Sequence, residues 1–189
     1  EKIVRGVETL LNDIDASVAR QSLRWLGERS AGSATPAIAR QLANSDPSVR
    51  FQAATALGRI ADARSSAPLL AAVGKPESEL WPRYAMFTAL NRIGRAHPEA
   101  WPQIVRGLNA ANQTTRDAVR FTLRETFDEK LVEALAIAAR DISRPVTARE
   151  VSLRLLAAIY RKPPAWKGDW WAYQPFRLSP PARTVDWAG

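Results

Sequence analysis

Four arginines recur along the chain at one constant spacing: Arg50, Arg83, Arg116 and Arg149. A guanidinium group forms paired hydrogen bonds with carboxylates and phosphates. A row of such groups can therefore bind an anionic ligand, or it can join neighbouring parts of the fold. The chemistry that this row predicts is binding.

Each of these arginines falls in the first turn of a predicted helix, where a cation opposes the helix dipole at a cost of about 0.3–1 kcal/mol. Four copies in register indicate that another interaction offsets this cost. The residues four positions before the arginines form a partly acidic column: Asp46, Glu79, Asn112 and Pro145. Residues in register usually stack neighbouring units, so we predict an inter-repeat ladder bonded to acidic groups or carbonyls. In the alternative, Arg116 and Arg149, whose column residues are not acidic, bind an anion.

His97 is the only histidine, and the chain has no cysteine. The lack of cysteine excludes disulfides, thiolate catalysis, cysteine-bound metals and covalent haem. Acid–base catalysis by His97 would need a positioned carboxylate or nucleophile, which the sequence does not indicate. We predict an exposed loop histidine. The sequence also lacks a calcium-loop spacing and a glycine-rich phosphate loop, so it predicts no cofactor, no metal site and no enzyme.

Four tryptophans lie in residues 161–189, a proline-rich stretch without helical periodicity: Trp166, Trp170, Trp171 and Trp187. Each offers about 150–250 Å² of largely apolar surface. The last predicted helix has no partner helix after it, and the ends of repeat proteins need a cover. We therefore predict that this irregular tail caps the last repeat. The alternative is an aromatic platform for a sugar, a nucleobase or a proline-rich partner. Asp169 is the best single candidate for a functional carboxylate, but we predict that it forms a turn instead.

The elements that must position these residues are copies of one helical segment. Four copies align without a gap, at 49–61, 82–94, 115–127 and 148–160, and an earlier copy at 18–30 fits with a slightly shorter step. The copies share one leucine each: Leu26, Leu57, Leu90, Leu123 and Leu156. Apolar residues within each copy recur at helical spacing, which predicts one apolar stripe per helix.

The sequence also indicates where helices begin and where the second helix of each pair lies. Asp46 before Pro47 predicts an N-cap followed by proline at the first helical position, and capping boxes are predicted over 147–150 and, less clearly, 114–117. Second helices are predicted at 35–43, 66–73, 100–108 and 129–139, and residues 2–11 resemble a further second helix. Because a helix pair can bury its stripe only against its neighbours, residues 1–160 are predicted to form an all-α, α-α superhelix of about five helical hairpins.

The copy with the sequence DPSVRFQAATALGRIADARSSAPLLAAV resembles the short HEAT-like repeats typified by the phycobilisome-lyase family, and the resemblance extends over residues 13–160. It implies a HEAT-like solenoid. The pattern weakens in the fourth copy, where Arg120 replaces an apolar residue and Asn112 replaces the leading aspartate. Ankyrin and tetratricopeptide repeats have similar periods, but their signatures are absent.

The tail sequences PPAWKGDWWAYQPF and PPARTVDW resemble the segment that follows HEAT repeats in large multidomain proteins of planctomycete and verrucomicrobial bacteria. Those proteins combine a propeller-like dehydrogenase domain, HEAT repeats and a c-type cytochrome domain. The resemblance implies that the chain is a piece of a redox-associated parent in the periplasm or another extracytoplasmic compartment. The chain has no CxxCH motif, so the resemblance implies no haem attachment here.

The formal net charge of +8 is spread along the chain without a run rich in lysine or arginine. Diffuse positive charge attracts polyanions weakly, and clustering in space would strengthen the attraction. No apolar run approaches the roughly 18 residues of a membrane span, so no span is predicted.

Three functional hypotheses follow, in order of preference. The first is a non-catalytic scaffold or spacer that holds a protein partner, or neighbouring domains of the same chain, in a fixed arrangement. The second is a nucleic-acid-binding domain that grips phosphates with an arginine-lined concave face, for which affinity should fall steeply with salt. The third, an enzyme of the bilin-lyase kind, is indicated only by the name of the repeat.

Overall fold

The computed structural model describes residues 1–76, 79–165 and 184–189. Within these residues the chain forms ten α-helices joined by short turns, several of them 3₁₀ turns. The α-helices are α1 Lys2–Thr9, α2 Ala16–Glu28, α3 Thr35–Arg40, α4 Pro47–Ile60, α5 Ser66–Val73, α6 Leu80–Ala96, α7 Trp101–Arg106, α8 Gln113–Leu123, α9 Glu129–Arg140 and α10 Val146–Ile159.

The helices are arranged as a row of antiparallel pairs. The pairs α2/α3, α4/α5, α6/α7 and α8/α9 are four complete hairpins, with α1 before them and α10 after them. The first helices α2, α4, α6 and α8 pack against one another in order, and the second helices α5, α7 and α9 form a second layer. Helix α10 packs mainly against α9. The predicted all-α superhelix is confirmed.

The repeated leucines form the centre of one continuous core. Leu26, Leu57, Leu90 and Leu123 are fully buried between the two layers. In the last copy the register shifts, so that Leu155 is buried and Leu156 is half-buried. Each helix pair thus buries its apolar stripe against the next pair. In α10 the buried leucine is the residue before the repeated one.

Two glycines set how closely the first helices approach. A Cβ atom added to Gly27 would lie 2.8 Å from Ala56 Cα, and one added to Gly58 would lie 2.9 Å from Ala89 Cα. Both obstacles are backbone atoms of the next first helix, which cannot move aside as a flexible side chain can. The glycines therefore allow α2, α4 and α6 to pack at very short range.

The predicted N-cap at Asp46 is confirmed, because its side chain accepts a hydrogen bond of 2.7 Å from Ser48 N. Asp15 and Asn112 cap α2 and α8 in the same way. The capping boxes predicted over 114–117 and 147–150 are wrong. Helix α8 already begins after Asn112, and α10 begins after Pro145 without a side-chain cap.

Several helix ends differ from the prediction. The segments predicted as helices at 35–43 and 100–108 finish in 3₁₀ turns. Helix α8 ends at Leu123, four residues before the predicted end of its copy, and Glu125 takes a left-handed conformation with φ 62°. After this turn Asp128 caps α9 through Leu131 N and accepts a bond from the Trp101 indole.

Candidate binding face

Two of the recurring arginines make the same contacts. Arg50 Nη1 donates to the carbonyl oxygens of Asn44 and Ser45 at 2.9 and 2.8 Å. Arg116 Nη1 donates to the carbonyl oxygens of Ala110 and Ala111 at 2.5 and 2.7 Å. In both cases the acceptors lie six and five residues upstream, in the turn that leads from the previous hairpin.

The other two arginines are engaged as well. Arg149 Nε donates to the Ala139 carbonyl oxygen at 3.0 Å, near the end of α9. Arg83 has an interaction partner, and Arg116 also reaches the Gln113 side chain. All four are half-buried. The carbonyls supply the negative partial charge that offsets the unfavourable helix dipole. These contacts favour the ladder over anion binding, and the ladder remains our proposal for their role.

A second set of bonds joins successive second helices. Thr35 Oγ1 donates to Asp62 Oδ2 at 3.3 Å, and Trp101 Nε1 donates to Asp128 Oδ1 at 3.0 Å. The two partners are equally far apart in sequence in both cases. Hydrogen bonds from Arg64 lower the pKa of Asp62, which keeps this carboxylate charged. The arrangement serves packing, because Trp101 is fully buried and Thr35 is buried.

Of the four tryptophans in the predicted cap, Trp187 lies in the described part of the chain. Its indole Nε1 donates to the Ile159 carbonyl oxygen at 2.7 Å, and its ring meets the Phe127 ring edge-on at 5.7 Å between centroids. Lys162 and Val185 exchange two backbone hydrogen bonds. Trp166, Trp170, Trp171 and Asp169 lie outside the described residues.

His97 lies between α6 and α7, and its Nδ1 is 3.0 Å from Glu99 Oε1. The side chain is 43% exposed, and Glu99 is more exposed still. A metal-binding group of three or more His, Asp or Glu side chains does not occur among residues 1–76, 79–165 and 184–189. The described helices include none that is long and apolar enough to cross a membrane.

A group of exposed aromatic and arginine side chains lies on α4 and α6. Phe51, Thr55 and Arg59 lie on α4 at positions i, i+4 and i+8, and a second triplet follows one repeat later on α6: Tyr84, Thr88 and Arg92. Residues four apart share one face of a helix. Each threonine hydroxyl donates to the carbonyl of its aromatic residue, at 2.9 and 3.0 Å. We call these six residues, together with Trp81 and Arg95, the aromatic–arginine face.

The aromatic side chains on this face are open to solvent. Trp81 is 66% exposed, Tyr84 53% and Phe51 36%. The neighbouring Phe121 on α8 is 49% exposed, with its ring centroid 5.0 Å from that of Phe87. Large exposed rings grouped on consecutive repeats are typical of an interaction surface.

The arginine end of the face borders an open groove of about 770 Å³ at the carboxyl ends of α2, α4 and α6. Arg59, Arg92, Arg95 and Glu28 line it. Glu28 pairs with Arg24 at 2.8 Å and with Arg59 at 3.5 Å, and the bond from Arg24 lowers the pKa of Glu28. Arg92 and Arg95 make no hydrogen bond or ion pair with any residue that the structure describes. The groove thus holds an excess of unneutralised positive charge.

The aromatic–arginine face does not follow from the predictions made on the sequence. Those predictions concern the recurring arginine and leucine columns, whereas the aromatic–Thr–Arg triplets lie in other columns of the same alignment. The signal was present, since aromatic residues at solvent-facing helical positions are unexpected in a soluble helix. The triplet occurs only twice. One repeat further on, the equivalent positions are Asp117 and Phe121 in α8 and Glu125 in the turn after it.

Comparison with known proteins gives one family and several solved structures. Residues 5–81 match the family model for HEAT repeats. A search of curated proteins finds no significant match. An engineered protein, a Northeast Structural Genomics Consortium target, is 16% identical with a TM-score of 0.47, over 84% of this chain and 79% of that one.

Two natural proteins are similar in structure. The complex of CpcE and CpcF of phycocyanin lyase from Nostoc sp. PCC7120 gives a TM-score of 0.49 at 23% identity, over 84% of this chain and 65% of that one. Human deoxyhypusine hydroxylase gives 0.33 at 20% identity, over 85% and 75%. The row of helix pairs and the HEAT-repeat match over residues 5–81 identify the fold as an all-α, HEAT-like solenoid.

Proposed function

We propose that the chain is a non-catalytic protein-interaction scaffold, which holds a partner on the aromatic–arginine face. The observation that carries the proposal is the repeated triplet on α4 and α6, which exposes Phe51 and Tyr84 on the same surface as Arg92 and Arg95, both unpaired within the described part of the chain. Tyrosine, tryptophan and arginine are the residues most enriched at the energetic centres of protein interfaces. A stacked solenoid presents such residues on a rigid surface, since each repeat is fixed by its neighbours.

Site-specific photo-crosslinking in the host tests this proposal. A photoreactive phenylalanine analogue at position 84 should trap a discrete protein partner, because that position lies at the centre of the face. The matched control carries the same analogue at position 140, an exposed site on the second-helix layer. Equal yields from both positions, or no protein adduct from position 84, would contradict the proposal.

The resemblance of the tail supports a finer version, in which the scaffold is a spacer beside dehydrogenase or cytochrome domains of an extracytoplasmic parent. The flanking coding sequence tests it directly. A CxxCH-bearing or propeller-like domain in the same reading frame is the expected result, and an isolated reading frame without either domain would contradict it.

A second candidate function is nucleic-acid binding, favoured by the groove that gathers Arg59, Arg92 and Arg95. A protein that neutralises several phosphates loses affinity linearly in log salt as counterions are released. Titration of a DNA duplex at increasing salt measures this slope. A steep slope that flattens in Arg92→Glu/Arg95→Glu supports nucleic-acid binding, and undetectable binding at low salt excludes it.

A further inference from the structure

We propose that the aromatic–arginine face binds an extended acidic segment of a partner protein, with its carboxylates in the groove and an apolar side chain on the exposed rings. The inference rests on the proposed scaffold function and names the chemistry of the partner.

The positive charge of the groove favours a ligand with acidic groups. Three arginines and one glutamate line it, and the glutamate is already paired with Arg24 and Arg59. The guanidinium groups of Arg92 and Arg95 therefore remain for a ligand, and arginine binds carboxylates through paired hydrogen bonds. A small free anion is disfavoured here, because the carboxyl ends of three helices carry negative partial charge. An acidic peptide segment also gains apolar contacts with the exposed rings, so its affinity does not come from the groove alone.

The geometry of the helices sets the spacing within the segment. Phe51 and Arg59, like Tyr84 and Arg92, are separated by eight residues, which is about 12 Å along a helix. An extended peptide advances roughly 3.3 Å per residue. The apolar side chain and the nearest carboxylate of the partner should therefore be three to four residues apart.

The charges on either side of the face separate a peptide from a single-stranded nucleic acid. Both ligands suit a surface of rings and arginines. A nucleic acid, however, carries a phosphate at every nucleotide, so it needs several free cations along its path. On the neighbouring helices, Arg24 is paired with Glu28 and Arg120 is paired with Asp117. A short acidic segment needs only Arg92 and Arg95, which make no ion pair with the described residues.

A phage-displayed library of random dodecapeptides, selected against the full chain, tests the inference. Selected peptides should be enriched in Asp and Glu, with an apolar residue three to four positions away. The winning peptide, labelled with fluorescein, should bind in the micromolar range that is usual for small interfaces, and Arg92→Glu/Arg95→Glu should weaken it at least tenfold. Phe51→Ser/Tyr84→Ser should weaken it by a similar factor.

The matched control is Arg106→Glu/Arg140→Glu, which makes the same charge change at two exposed residues of the second-helix layer. It should alter affinity less than twofold. All variants change exposed side chains, and equal melting temperatures by circular dichroism would show that each is folded.

Each other outcome overturns the inference in a distinguishable way. Peptides without acidic enrichment, or binding lost in the control and kept in the groove variant, would leave a protein scaffold with a different site. A failure to select any peptide, together with tight salt-sensitive binding of oligothymidylate, would remove the scaffold function too. A concentration-dependent dimer in sedimentation that Tyr84→Ser dissociates would assign the face to a second copy of the chain.

Discussion

Arg50 and Arg116 reach back across the turn before their helix and bond two carbonyl oxygens each. The turn is where one repeat passes to the next, and its carbonyl oxygens offset the unfavourable position of Arg50 and Arg116 at the positive ends of α4 and α8. Within the partly acidic column, Asp46 and Asn112 cap their own helices.

We expect Arg116→Ala to lower the free energy of unfolding by about 1–2 kcal/mol, because it removes charged hydrogen bonds to two carbonyls that are partly shielded from water. Urea denaturation followed by circular dichroism measures the change. Arg106→Ala removes an exposed arginine from the last turn of α7 and should stay within about 0.5 kcal/mol of the parent chain. Equal effects of the two substitutions would contradict the ladder.

The N-cap aspartates predict a loss of stability in acid. Hydrogen bonds from the Ser48 side chain and backbone lower the pKa of Asp46, and Asp15 has its pKa lowered by Ser17 in the same way. A carboxyl group whose pKa is lower in the folded state stabilises the fold above its unfolded pKa of about 3.9 and loses that contribution as the pH falls further. Unfolding free energy should therefore decrease below about pH 4.

Asp46→Asn isolates this effect, because the Asn112 amide oxygen caps α8 with a bond of the same 2.7 Å length. The variant should keep the cap at neutral pH and show a shallower loss of unfolding free energy between about pH 4 and pH 2.5. Urea titrations across that range measure the slope. An unchanged slope would mean that Asp46 does not contribute to acid sensitivity.

At the level of the helices, the packing of α4 on α6 depends on Gly58. We expect Gly58→Ala to lower the free energy of unfolding by about 1–3 kcal/mol, because the new methyl group would meet the Ala89 backbone. This steric cost exceeds the gain of roughly 0.5–1 kcal/mol that alanine brings to a helix interior. Thermal unfolding measures the sum of the steric cost and the gain in helix propensity.

Gly6 in α1 provides the matched control, since a Cβ atom there would meet nothing within 4 Å. Gly6→Ala should leave stability unchanged or raise it slightly through helix propensity. A stabilising Gly58→Ala would contradict the close approach of α4 and α6.

The helices could be predicted from the sequence because their apolar stripe repeats with the helical period. The alignment of the copies did not show where each helix ends. Residues 124–127 continue the alignment of α8, yet the helix ends at Leu123 and Glu125 takes a left-handed conformation. The capping boxes failed because an upstream residue, Asn112 or Pro145, already begins the helix.

For the whole molecule, the sequence predicts a diffuse positive charge, whereas the fold gathers part of it. Arg59 and Arg92 lie one repeat apart in the chain, and Arg95 follows one further turn along α6; stacking of α4 on α6 places all three around one groove. This clustering depends on the repeat period and on how the helices stack on one another. The sequence shows the period but not the stacking. The face that results is the surface on which we propose that a partner binds.

Trp187 contacts the C-terminal end of the solenoid. Its indole satisfies the Ile159 carbonyl, one of the last carbonyls of α10 that lack a helical donor, and its ring packs on Phe127. We propose that the tail acts as a cap through this residue. Trp187→Ala should lower the free energy of unfolding by about 2 kcal/mol, from lost apolar contact and one lost hydrogen bond.

Hydrogen exchange locates the effect, because a repeat protein can open from one end. Amides of α10 should exchange faster in Trp187→Ala, while those of α4 keep their protection. Trp81→Ala is the control: it also deletes an indole, but from an exposed position on the aromatic–arginine face, so it should leave exchange in α10 unchanged and weaken only partner binding. Faster exchange throughout the chain in Trp187→Ala would indicate a single cooperative unit, in which the cap stabilises every repeat rather than the last one.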